Sequence, residues 1–78
     1  MDETSERLMT IISQVLLLDI DDISDSLKRK EYEPWDSMAH LMLISEVENQ
    51  FGIFFEDDEI VEIWTVADLK RALASKLA

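Results

Sequence analysis

The residues able to do chemistry gather in one short stretch, Trp35-Asp36-Ser37-Met38, at the foot of the apolar run Leu41-Met42-Leu43-Ile44. A catalytic serine needs a neighbouring base and a further group that orients the base. His40 is the only histidine, one helical turn beyond Ser37, and no third residue accompanies it. A lone glycine rules out a Gly-rich phosphate loop, and no zinc spacing or nucleophile elbow is present. Asp19-x-Asp21 begins like a calcium loop, but Ser24 stands where the sharp turn needs glycine and Lys30 where the bidentate glutamate belongs. No metal site is expected. Taken alone, Asp36 and Ser37 are two good N-cap residues, because a side-chain oxygen can accept from an orphan backbone N–H.

Composition narrows the rest. The chain has 78 residues, 47% of them hydrophobic, enough for one compact domain over residues 1–78. Without cysteine there is no disulfide, thiolate metal site or cysteine nucleophile. No apolar stretch nears the ~20 residues of a membrane span, and the acidic start Met1-Asp2-Glu3 is unlike a signal peptide. A soluble, cytoplasmic protein is expected. A net charge of −11 argues against nucleic acid and anionic membranes, which attract basic surfaces. Such acidity either only solubilises or steers the surface onto basic patches of partner proteins.

The elements that must position Ser37 read as helices. Leu8, Ile11, Ile12, Val15 and Leu16 repeat at helical spacing, predicting a first helix over about 4–17 with Thr4 or Ser5 as cap. Periodicity lapses from Leu18 to Trp35, where Ile20, Ile23 and Leu27 are expected to pin a long loop and Lys28-Arg29-Lys30 to form a solvated basic face. A second helix over about 37–51 ends at Gly52, with His40, Leu43, Ile44, Val47 and Phe51 on one arc and Leu41 at its margin. Met38, Met42, Glu46 and Asn49 fall opposite. Ile53 and Phe55 should point inward and Phe54 outward. A brief third helix is expected from Asp57 to about Ile63, and Thr65-x-x-Asp68 opens a fourth with Val66, Leu69, Leu73 and Leu77 as its stripe. The expected fold is all-α, a four-helix bundle with three longer helices, a short third helix and a long first loop.

In order, Asp36-Ser37-Met38, the helix ending Glu48-Asn49-Gln50-Phe51-Gly52-Ile53, the acids Glu56-Asp57-Asp58-Glu59 and Thr65-Val66-Ala67-Asp68-Leu69 closely resemble the acyl carrier protein family. The likeness runs from about Leu8 to Leu77. It implies a non-catalytic carrier whose Ser37, flanked by Asp36, is joined to 4′-phosphopantetheine from coenzyme A by a phosphopantetheinyl transferase. The thiol of that arm would hold an acyl, aminoacyl or polyketide group as a thioester. Acyl-activating, acyltransferase or synthase enzymes would be its partners, and the carrier would act as a monomer. Met38 replaces the family's usual Leu, and Pro34-Trp35 stand where fatty-acid carriers often have smaller residues. The Trp35-Asp36-Ser37 form resembles stand-alone carriers of specialised pathways more than the housekeeping fatty-acid carrier, and Ala39 and Met42 stand where that carrier has acids on helix two, so its usual partners are not expected. Partners are expected to dock on Met38 and Met42, steered by Glu46, Glu48, Asp57 and Glu59. His40 reads either as a partly exposed histidine bonded to backbone or water, or, with Leu41, as the entrance for the arm or its acyl group. Trp35 and Trp64 read as packing residues. The alternative is an acidic helical adaptor with no prosthetic group.

Overall fold

The computed structural model describes residues 3–78. Four helices appear: α1 (Glu3–Leu16), α2 (Ser37–Phe51), α3 (Asp57–Val61) and α4 (Val66–Leu77), with one 3-10 turn (Ile20–Asp22) inside the long first loop. The all-α bundle with a short third helix is as expected. Helix α1 begins at Glu3, so Thr4 and Ser5 lie in its first turn and are not its caps.

Three helices bury one face each around a common core: Leu8, Ile12 and Leu16 from α1, Leu43 and Val47 from α2, Leu69 and Leu73 from α4. Met9 is also buried, while Val15 only packs against the core's edge. Trp35, Phe55 and Ile63 fill it from the connectors, with Phe54 turned outward between half-buried Ile53 and Phe55. Two expected core residues lie at its margins and are exposed. Leu77 belongs to the last turn of α4, beyond the buried stripe, and Leu41 faces solvent. Ile20 is also exposed: the 3-10 turn carries it over a groove beside Glu6, Met9 and Thr10, while Ile23 and Leu18 face in.

The ends of α1 and α2 show different chemistry for one bend. Gly52 takes the left-handed conformation after α2 (φ 65°), donating its N–H to Glu48 O, as a residue without Cβ does readily. After α1 the same role falls to Leu17 (φ 57°). Leu18 N–H reaches back to Ser13 O, and the Ser13 hydroxyl donates to the Leu18 carbonyl. That closes the helix with a leucine in a region costing about 1–2 kcal/mol for residues with a Cβ.

The long loop is tied down rather than solvated. Lys28 bridges Thr65, Arg29 N–H donates to Trp64 O at 2.8 Å, and the Leu27 and Asp25 carbonyls accept from Val66 and Ala67. Tyr32 donates its hydroxyl to Leu16 O, and Trp35 N–H donates to Tyr32 O. Lys28 and Lys30 are exposed, as expected of a solvated face, but Arg29 is half-buried against the Trp64 ring, a correction to its reading as part of that face.

Candidate functional site

Asp36 is extended (φ −87°, ψ −174°), and its carboxylate accepts from Ala39 N–H at 2.8 Å. Its carbonyl accepts from His40 N–H. The cap is thus Asp36, not Ser37. Ser37 is the first helical residue and exposed, and among the described residues its hydroxyl makes no hydrogen bond. The backbone N–H groups of Ser37 and Met38 also have no partner among the described residues. An anionic group on the Ser37 oxygen would meet two open donors at the positive end of a 15-residue helix. The geometry fits a phosphodiester there.

Beneath this end lies His40, only 3% exposed. The Trp35 indole N–H donates to its Nδ1 at 3.0 Å, and Nε2 lies 2.9 Å from the Ile60 carbonyl. Indole N–H is a donor only, so Nδ1 must accept and Nε2 must carry the proton. The ring is fixed as one neutral tautomer joining α2 to the loop before it and to α3. Burial pulls the imidazole below its ordinary value; the bond to Ile60 opposes this, and the Arg29 charge adds to the fall. The backbone bond agrees with one expected reading, but the partial exposure does not. With both nitrogens committed, His40 offers nothing to an entering arm. It cannot serve as base for Ser37 either, and of the proposed entrance pair only Leu41 stands open.

Met38 and Met42 are 73% and 55% exposed. With Leu41, Ser45 and Glu46 they line a shallow hollow of about 320 Å³ beside Ser37. The acids expected to steer partners are not equivalent. Glu46 and Asp57 are exposed. Glu48 accepts from Phe55 N–H at 2.9 Å and holds the connector after α2. Glu59 accepts from Glu56 N–H at 2.7 Å and pairs with Lys76 at 2.8 Å. The Lys76 hydrogen bond and the Glu56 N–H keep the Glu59 carboxyl below its usual range.

Trp35 is core, as expected, but Trp64 is half exposed, with the Arg29 guanidinium 4.0 Å from its ring centroid. The pair spans 35 positions in sequence and carries no periodic signal, so sequence reasoning missed it. Among the described residues no group of three His, Cys, Asp or Glu could hold a metal ion, and no helix is long and apolar enough to cross a membrane. The family model of the phosphopantetheine attachment site matches residues 6–73, most of the chain. A comparison with curated proteins finds no match.

Proposed function

The chain belongs to the phosphopantetheine attachment-site family, and on that premise we propose that Ser37 is the residue that carries the arm. Proteins of this family are non-catalytic carriers, and 4′-phosphopantetheine is their prosthetic group. The observation that carries the assignment is the unbonded, exposed Ser37 hydroxyl at the α2 N-terminus, with Asp36 supplying the cap in its place. Because His40 is fully engaged, activation of the Ser37 hydroxyl falls to the transferase. Once bound, the arm supplies a thiol that holds cargo as a thioester. The protein's residues display the arm and guide partners to it.

Met38, Leu41 and Met42 are the apolar part of the docking face, with Glu46 and Asp57 as its free charges. Methionine adapts to differing surfaces, and burying one such side chain contributes about 1.5–3 kcal/mol, more than an exposed charge pair. An acidic adaptor without a prosthetic group would leave both the family match and the open hydroxyl unexplained.

Incubation with coenzyme A and a broad-specificity phosphopantetheinyl transferase should add the arm's mass to the intact protein. Ser37→Ala should abolish that gain while shifting stability by less than about 0.5 kcal/mol, as for other surface positions. A mass gain surviving in Ser37→Ala moves the site elsewhere; no gain in the unsubstituted protein with several transferases ends the carrier reading. Met42→Glu should melt normally yet slow transfer between carrier and partner enzymes. A melt well below that of the unsubstituted protein would instead show that Met42 supports the fold.

A further inference from the structure

Most fixed cations in this acidic chain are matched to an oxygen. Lys70 pairs with Asp25, Arg71 with Asp68, Lys76 with Glu59, and Arg7 donates to Gln50 O. Lys28 and Lys30 are exposed. Arg29 differs from both groups: it is half-buried and docked, yet among the described residues its guanidinium has no ion pair or hydrogen bond. The partner it does have is the Trp64 ring. Stacking uses the flat face of a guanidinium and leaves its in-plane N–H donors open. The backbone bond from Arg29 N–H to Trp64 O fixes the pair from below.

The pair stands at the Ser37 end of the bundle. Trp64 lies in the connector four residues after Ile60, whose carbonyl meets His40 Nε2. His40 is three residues from Ser37, buried in the first turn of α2 below that exposed residue, and the charge of Arg29 is felt at His40. A planar fork of donors on an indole platform is suited to a carboxylate or phosphate, and its partial burial strengthens such pairing relative to water. Stacking that merely covered Trp64 would require neither open donors nor this location.

We propose that Arg29, held on Trp64, is an anion-binding group for the arm on Ser37, receiving either the arm's phosphodiester or a carboxylate at the far end of its cargo. The proposal rests on Ser37 carrying the arm. Its test compares four states of ¹⁵N-labelled protein: untreated, and treated with transferase plus coenzyme A, butyryl-coenzyme A or succinyl-coenzyme A, each verified by intact mass. The Trp64 indole N–H and Arg29 side-chain N–H signals are expected to move at one anionic step. Movement on loading from coenzyme A identifies the phosphodiester; movement only from butyryl to succinyl identifies a cargo carboxylate. Arg29→Gln should erase the Trp64 shift without changing the mass gained. If Arg29→Gln lowers the melt, Arg29→Lys repeats the test with charge kept and the planar fork removed, and the shift should shrink. Signals that stay fixed in every loaded state overturn the proposal, as does a Trp64 shift that persists in both variants. Absence of any mass gain overturns the Ser37 reading, and the proposal with it.

Discussion

Helices α2 and α4 begin in opposite ways. Every α-helix starts with four N–H groups that its own carbonyls cannot reach. At α4 the protein satisfies all four: Val66 and Ala67 donate to the Leu27 and Asp25 carbonyls, Asp68 to the Thr65 hydroxyl, Leu69 to the Thr65 carbonyl. The Asp68 carboxylate also takes Trp64 and Thr65 N–H. The backbone bond from Trp64, chief among these contacts, keeps the Asp68 carboxyl below its usual range. At α2 only Ala39 and His40 are satisfied, both by Asp36, and the donors of Ser37 and Met38 remain open. One helix start is a structural joint between the long loop and the bundle. The other leaves two donors open, at the end where we propose that the arm attaches.

The largest effect expected from disturbing this contrast is at His40, the anchor below the open end. His40→Leu would strand the Trp35 indole N–H in a buried setting, while the Ile60 carbonyl keeps the Ile63 N–H. Leaving a buried donor unpaired costs about 1–3 kcal/mol, and the lost tie to α3 adds to it, so a destabilisation of roughly 2–3 kcal/mol is expected in urea melts. The same histidine sets a pH window. Its folded pKa lies below its ordinary 6.5, so the unfolded chain binds more protons and stability rises with pH across that gap. The contribution is complete above about pH 6.5 and is lost as pH falls through the depressed folded value. Losses from Glu59 and Asp68 come lower still, below their ordinary 4.5 and 3.8. A stability profile that stays flat as pH falls below 6.5 would refute the buried neutral ring.

Next in size are the two caps. Thr65→Ala and Asp36→Ala each remove one capping acceptor, worth about 0.5–2 kcal/mol. The contrast predicts different reach. Loss of Thr65 should speed hydrogen exchange at Val66, Ala67 and Arg29 together, because the loop and α4 share that joint. Loss of Asp36 should speed exchange at Ala39 and little else. Exchange that spreads equally from both positions would erase the distinction between joint and open end.

Much of this was legible in the chain. Leu43, Ile44 and Val47 announce the α2 core face by spacing alone, and Thr65-x-x-Asp68 states its capping box outright, because both depend on residues within two turns. The outward Met38 and Met42 follow from the same wheel. What escaped depends on residues distant in sequence. Glu48 looked like a free acid until Phe55 N–H was found on it. Arg29 looked solvated until Trp64 lay beneath it. Asp36 and Ser37 were equally good caps by type; only the backbone angles decide that the carboxylate does the capping and the hydroxyl is left open.

The smallest change tests whether an unfinished helix end means anything. Leu17 is 84% exposed and left-handed, so the fold tolerates one poor choice at the end of α1, and the openness at Ser37 could be a second. The two differ in what replacement should do. Glycine at position 17 removes the Cβ conflict and gives up almost no burial, so Leu17→Gly should stabilise by about 1 kcal/mol, offset in part by the added freedom of the unfolded chain. For a domain of this size that is about 4–8 °C in Tm at most. Modification of Ser37 should proceed at the unsubstituted rate, because the bend at Leu17 is then a local strain with no part in recognition. A Leu17→Gly protein that melts higher but accepts the arm several-fold more slowly would break that separation: the strained leucine would then belong to the surface the transferase reads, and both unfinished ends would serve the same encounter.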